Sequence, residues 1–331
     1  MNNELLCALS KCFGTKIIHA DYEMKQLHGG TVGDVQLLTG VAEDENGRKL
    51  PYKLVLKKQK RWERYGDVLS WRREYDLYSS NLAQVFTEKL SWPECYYSCI
   101  DNDETHIWME YIEGVSGEDL TVEMLEAAAE EVGRFQGRLY AEGAALNGIS
   151  NLSSLDFMKE DYRNWSNGTS VYRYIRSKDC TIPRHLCQML IDIDNRAREL
   201  FEAIENLPVV LCHRDLWLEN IFYSDGRVTL IDWDTAGWGY MGEDIASLIA
   251  DDTDAGALCE YYRRLPPAYL RGISEYISLP QANECYIREM ILIKFGYRFI
   301  YKYMKSETPE AKEFQIKALQ QIYDMKDIGR I

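Results

Sequence analysis

Apolar and polar positions change rhythm once along this chain. Residues 20–112 read mostly as β: an apolar stretch leads into His28-Gly29-Gly30-Thr31-Val32-Gly33-Asp34, and Val35-Gln36-Leu37-Leu38 resumes beyond it. Asn46-Gly47 marks a hairpin turn, and Tyr52-Lys53-Leu54-Val55-Leu56-Lys57 supplies the strand on its far side. A helix fits residues 67–82, and two further strands fall near 95–100 and 106–112. Glu113-Gly114-Val115-Ser116-Gly117 breaks the pattern.

Beyond that break the rhythm is helical. Thr121 can cap a helix that runs to Glu142 and stops at Gly143. Pro183 opens a second long helix to about Asn206, and Thr308-Pro309-Glu310 has the cap, first-turn proline and acid of a helix start. Strands return briefly, in Val209-Val210-Leu211-Cys212 and in a hairpin of 220–223 and 227–231 around Ser224-Asp225-Gly226. The predicted fold is α+β and bilobal: a small β-rich lobe over 1–112 and a larger, mainly helical lobe over 113–331.

Composition narrows the field by exclusion. A length of 331 residues exceeds what one core usually supports, so two cores are expected. The net charge of -15 leaves no electrostatic footprint for nucleic acid or an anionic membrane. It fits either a solvated surface or an acidic cleft for a cationic substrate. No apolar run approaches the ~18 residues that span a bilayer. The nine cysteines are scattered without a C-x-x-C pair, and Met1-Asn2-Asn3-Glu4 lacks a basic leader region. That is a reduced-thiol, cytoplasmic pattern. Cys95 and Cys99 stand four apart with no His or Cys at zinc spacing, so no metal role is assigned to them.

Four stretches carry candidate chemistry, in the order that phosphoryl transfer needs. His213-Arg214-Asp215-Leu216-Trp217-Leu218-Glu219-Asn220 follows an apolar strand; Asp215 can accept or orient the proton of an attacking hydroxyl, and Asn220 offers an amide oxygen to Mg²⁺. Ile231-Asp232-Trp233-Asp234 ends the next strand. Mg²⁺ prefers one or two carboxylates alongside phosphate oxygens, so Asp232 is the first candidate ligand and Asp234 the second. Lys57 closes a strand and Glu74 lies on the following helix, the types and order of a phosphate-contacting ion pair. Lys53 shares its strand face and competes for that role, as does Lys58. Gly29, Gly30 and Gly33 let backbone N–H groups approach phosphate oxygens, although a hairpin turn explains them equally and no G-K-[S/T] follows.

Taken together, the glycine loop, strand lysine, helix glutamate, Trp108-Met109-Glu110-Tyr111-Ile112 linker, H-x-D-x-x-x-x-N and I-D-W-D resemble the protein-kinase-like fold over roughly residues 20–305. More narrowly, they resemble the aminoglycoside phosphotransferase family, with its choline, homoserine, methylthioribose and macrolide kinases. The resemblance implies ATP or GTP between two lobes, with Glu110 and Ile112 at the purine edge and Met109 behind it. It also implies Asp215 as base, Asn220 and Asp232 on magnesium, and Asp244 capping the next helix and bracing the catalytic loop. One departure is His213-Arg214-Asp215 where the family's small-molecule members often carry H-G-D. The twelve residues from Asp232 to Asp244 are too few for a protein kinase's activation segment.

The acceptor is less well marked. Lining is expected from 150–180, with Asp156, Asp161, Tyr162, Trp165 and Tyr172, and from 250–305, with Asp251, Asp252, Asp254, Glu260, Tyr261, Tyr262, Glu284, Glu289, Tyr297 and Tyr301. Acid beside aromatic suits a cationic, hydroxylated small molecule such as an aminosugar or amino alcohol. The competing readings are a protein kinase and a catalytically dead nucleotide-binding module of the same fold.

Overall fold

The computed structural model describes residues 1–27, 33–63, 67–142, 151–251, 253–278 and 286–328. Gly29, Gly30, Gly143, Asp252 and Glu284 lie outside the described residues. The chain forms two compact units, one of Met1–Gly114, Ala145–Leu152 and Thr229–Thr235, the other of Val115–Ala144, Ser153–Val228 and Ala236–Ile331.

The first unit opens on α1 (Asn2–Phe13), closed by Gly14 in the left-handed conformation. Leu5, Ala8 and Leu9 recur at helical spacing and are buried, which gives α1 one apolar stripe. Strands β1 (Ile17–Ala20), β2 (Glu23–Gln26), β3 (Asp34–Asp44) and β4 (Lys49–Lys60) follow. α2 (Arg73–Tyr78), β5 (Leu90–Ser91), β6 (Cys95–Asp101) and β7 (Glu104–Glu110) complete the run. The main sheet is antiparallel in the order β1-β3-β4-β7-β6, with β2 also on β3. Tyr52, Leu54 and Leu56 of β4 turn one way and join Leu5, Leu9, Leu38 and Trp108 in the core beneath α1. The two-residue period therefore sends Lys53, Val55, Lys57 and Gln59 to the opposite face.

The helix expected over 67–82 is shorter than its apolar content suggests. Ser70–Arg72 and Leu82–Val85 are 3-10 turns, and only Arg73–Tyr78 is α-helical. Arg73 and Glu74 are buried there beside Leu77 while Val68 and Leu69 are exposed, so charge pairing shares the anchoring of this segment with apolar packing.

In the second unit, β8 (Val115–Ser116) precedes α3 (Val122–Glu142), and Thr121 Oγ1 accepts from the Met124 N–H as a cap. α4 (Phe157–Ser166), α5 (Ser170–Tyr174) and α6 (Arg184–Ile204) lead to β9 (Val209–Cys212) and β10 (Ile221–Ser224). β11 (Arg227–Leu230) carries the chain to the first unit at Thr229. After β12 (Gly237–Tyr240), which pairs antiparallel with β9, come α7 (Glu243–Ala250), α8 (Leu258–Ser274), α9 (Ile287–Ile291), α10 (Tyr297–Lys305) and α11 (Pro309–Asp324). A π-helical turn, Leu292–Gly296, joins α9 to α10 and buries Lys294. α3 and α8 meet at their backbones: a Cβ on Gly133 would stand 2.2 Å from the Tyr269 carbonyl oxygen, and one on Gly272 2.0 Å from that of Glu130.

Candidate active site

In the first unit, β4 delivers Lys57 into a cluster of carboxylates. Its Nζ lies 2.5 Å from Glu74 Oε2 on α2 and 2.5 Å from Asp232 Oδ1. Lys53, two residues along the same face from Val55, instead pairs with Glu113 at the surface. Exposure separates the two lysines: 11% of the Lys57 side chain is accessible, against 54% for Lys53. Burial works to lower the Lys57 pKa, but the carboxylates of Asp232, Glu74 and Asp234 outweigh it and hold the ammonium above its ordinary value. Burial raises the Glu74 carboxyl, opposed by Lys57 and reinforced by Asp232 and Asp234.

Three carboxylates thus gather around the Lys57 ammonium, and carboxylate oxygens are the ligand type that a divalent cation such as Mg²⁺ takes. Asp232 holds a left-handed backbone conformation, φ 62°, and its side chain keeps 25% of its surface accessible. A non-glycine residue in that conformation is strained unless its surroundings enforce it. The Asp234 side chain is buried more deeply. Gly33 lies against the lysine: a Cβ there would be 3.7 Å from Lys57 Cε. In β7, Met109 is buried, while Glu110 is exposed and exchanges backbone and side-chain hydrogen bonds with Glu94.

Arg73 was not among the residues expected here. Its buried guanidinium donates to the Asn151 carbonyl at 2.7 Å and the Asp234 carbonyl at 2.8 Å, and pairs with Asp67. It thereby fixes the backbone of the I-D-W-D segment. The two carbonyls it holds lie 78 and 161 residues away, so no local motif could announce that role.

The second unit holds the H-x-D-x-x-x-x-N segment. The Asn220 amide nitrogen donates to the Asp215 carbonyl at 2.8 Å and to its Oδ2 at 3.1 Å, which orients the carboxylate and leaves the amide oxygen uncommitted to it. Asp244 braces the same loop from below: its Oδ2 accepts the His213 N–H at 2.9 Å and its Oδ1 the Arg214 N–H at 2.8 Å. Gln136 donates to Asp244 at 2.8 Å, and the Tyr269 hydroxyl donates to Gln136 at 2.6 Å. Burial raises the Asp244 carboxyl, against the lowering effects of His213 and the two backbone N–H groups. Asp244 is not the cap of α7; Gly242, φ 97°, takes that position and frees the carboxylate for the loop.

The expected acceptor residues are partly spoken for. Asp161 pairs with Arg298 at 2.7 Å, beside Trp165 and Phe295. Tyr162 and Tyr297 both donate to Asp194, which also pairs with Arg176, and that guanidinium covers the Tyr172 ring. Asp254 accepts the Gly256 N–H at 2.6 Å. His106 faces Cys99 across the β6–β7 ladder, a partnership that linear spacing concealed. With Glu4 the three bring ligand atoms within 4.8 Å, but Glu4 Oε2 already accepts from Trp108 and contacts His106.

Comparison with known proteins meets this geometry at the level of the family. The family model described as "Phosphotransferase enzyme family" (APH) matches residues 41–277. Among solved structures, choline kinase from Cryptosporidium parvum Iowa II has a TM-score of 0.57 at 15% identity, covering 93% of this chain and 89% of that one. A microcompartment-associated aminopropanol kinase has a TM-score of 0.55 at 13% identity, covering 99% of each chain. A curated relative, human ethanolamine kinase 1, is 44% identical over 50 residues; the match covers 14% of this chain and only 11% of that protein. The fold is protein-kinase-like, and the class is that of the phosphotransferase enzymes. The chain belongs to the phosphotransferase enzyme family, that of the aminoglycoside phosphotransferases.

Proposed function

We propose that the chain transfers the γ-phosphate of ATP to a hydroxyl of a small cationic acceptor, an amino alcohol or aminosugar. The observation that carries this reading is that no charged part of a phosphoryl-transfer apparatus is missing. Lys57, Glu74 and Asp232 are assembled in one unit, and Asp215 and Asn220 are hydrogen-bonded in the other.

In this reading Lys57, held by Glu74, contacts the nucleotide phosphates, and Gly29, Gly30 and Gly33 approach them with backbone N–H groups. Glu110 and Ile112 offer backbone groups to the adenine edge, with Met109 behind it. Asp232 and Asn220 would hold Mg²⁺, with Asp234 as a further ligand; bound there, the ion would neutralise phosphate charge. Asp215 accepts the proton of the acceptor hydroxyl, and Asn220 keeps the receiving carboxylate oriented.

Three observations support a cationic acceptor. The chain carries -15 net charge. Its curated relative is named an ethanolamine kinase. Two of the solved structures that share its fold are named for choline and aminopropanol. Asp161 can serve as an amine ligand where its partner Arg298, whose side chain is 35% accessible, turns to solvent and releases it.

A protein acceptor fits less well. The interval from Asp232 to Asp244 is taken up by the 3-10 turn Trp233–Thr235, by β12 and by Gly242. No length remains for a platform on which a peptide could lie.

ADP release from ATP, measured with ethanolamine, choline, aminopropanol, aminoglycosides, neutral sugars and a peptide library, tests the reading. Turnover with at least one amine is expected, and turnover confined to neutral or anionic acceptors would sink the acceptor class. Asp215→Ala should lower turnover by about 10²–10⁴-fold with nucleotide affinity nearly unchanged. A variant as active as the parent would remove Asp215 from the mechanism.

A further inference from the structure

The residue between the histidine and the aspartate of the catalytic segment is the one that the family resemblance does not explain. Arg214 has φ 69°, the left-handed region that favours glycine and that a long side chain occupies only under constraint. The constraint is visible. Its Nη1 donates to Ser153 Oγ at 2.6 Å, its Nη2 to the Trp238 carbonyl, and its Nε stands 3.4 Å from Glu243 Oε1. The Phe157 ring at the start of α4 covers the guanidinium at 4.8 Å. Neither the Arg214 nor the Glu243 side chain has accessible surface. Glu243 has a second cation, Lys294, at 3.8 Å, and Lys294 also donates to Ser247 at 2.6 Å.

A buried charge persists only where its partners are fixed, and a planar guanidinium engages several partners in one rigid orientation. Four chain segments thus converge on one fork: residue 153, α4, β12 and the first turn of α7. The Arg214 N–H is held at the same time by Asp244, so side chain and backbone of this residue are both pinned immediately before Asp215. Loops in other kinases are ordered by phosphate groups that recruit an arginine. Here the guanidinium is enclosed and already matched to an internal carboxylate.

We propose that Arg214 is a positioning residue: clamped by Glu243, Ser153 and the Trp238 carbonyl, it holds the left-handed turn that aims Asp215, without recourse to phosphorylation. The inference rests on Asp215 being the base, and the experiment separates the two.

ADP release from ATP is measured with ethanolamine and with water alone as acceptor, for Arg214→Gly, Arg214→Lys, Glu243→Gln, the Arg214→Gly/Glu243→Gln pair and Asp215→Asn. Melting midpoint and nucleotide affinity are followed in parallel. Glycine accepts the backbone conformation and removes only the clamp. For Arg214→Gly, kcat should fall about 10–100-fold while KM for ATP moves less than twofold. Arg214→Lys should recover part of the loss, and the paired variant should be no slower than Arg214→Gly alone, because both changes open one clamp.

Folded Arg214→Gly and Glu243→Gln proteins with parental kcat, beside an inactive Asp215→Asn, would overturn the positioning role and leave the base standing. Multiplying losses in the paired variant would overturn the clamp. If Arg214→Gly does not fold, Arg214→Lys and the isosteric Glu243→Gln carry the test, and parental kcat in both overturns the proposal. An Asp215→Asn protein as fast as the parent would instead bring down the base assignment and this inference with it.

Discussion

Lys57 shows how much of a site one residue can organise. Its ammonium lies 2.5 Å from both Glu74 and Asp232, and Asp234 adds a third negative charge to its surroundings. Removing one partner from a buried ion pair leaves uncompensated charge and costs about 3–5 kcal/mol at neutral pH. Lys57→Met should show that loss in urea unfolding, together with a large rise in KM for ATP. The loss should also depend on pH in a definite sense. The Glu74 carboxyl is already raised above its ordinary 4.5 when folded, so the folded state binds the extra proton and stability falls as pH rises through that window. Without the ammonium the carboxyl rises further and the window widens upward. The variant should therefore lie closer to the parent at about pH 5 than at about pH 8. A constant difference across that range would contradict the charge argument.

The same residue shows what the sequence could and could not resolve. Strand alternation put Lys53 and Lys57 on one face, and nothing in the period distinguished them. What distinguishes them is α2, which brings Glu74 over one end of β4, and the I-D-W-D segment returning from 175 residues away. Arg73 and Glu243 were missed for the same reason. Each is buried by partners distant in sequence, and a single buried charge has no periodicity to betray it.

At the scale of elements, cap chemistry was the most legible feature. Thr308 caps α11 through its side chain, and Pro183 stands immediately before α6, as their residue types require. The segment 67–82 was less legible, because its apolar content has helical spacing while buried Arg73 and Glu74 share the anchoring with Leu77. The α3–α8 contact could not be read at all, since Gly133, Gly137 and Gly272 look like ordinary helix-weakening glycines in a single sequence. Their role follows from distance: each would place a Cβ within 3.0 Å of a backbone carbonyl oxygen on the facing helix. Gly133→Ala or Gly272→Ala gains helix propensity of about 1 kcal/mol. It must also separate two backbones, an overpacking cost of about 1–3 kcal/mol or more. A net loss of stability in urea unfolding is expected for both. Ala at the exposed Tyr140 of the same helix should stay within about 0.5 kcal/mol of the parent. Stabilisation at both glycines would mean that the helices do not meet this closely.

At the scale of the whole molecule, the sequence displays charge but not how the chain is divided. No composition shift marks where Thr229–Thr235 joins the first unit, so the separation of Asp215 from Asp232 into different units is a product of tertiary contact alone. Charge is different, because it adds over the chain wherever the residues lie. With 38 basic and 53 acidic side chains the protein carries -15, and a cationic acceptor approaches it down a favourable potential. That attraction acts through solvent and is screened over a Debye length, which shrinks from about 30 Å at 0.01 M salt to about 8 Å at 0.15 M. At saturating ATP, where nucleotide binding no longer limits the rate, kcat/KM for an amine acceptor should fall by about tenfold over that range. The effect should lie in KM, because the field gathers substrate and has no part in the chemical step. A neutral acceptor of similar size should change little. Equal salt dependence for the two would assign the acidity to solvation alone, and would leave recognition of the amine to local groups such as Asp161.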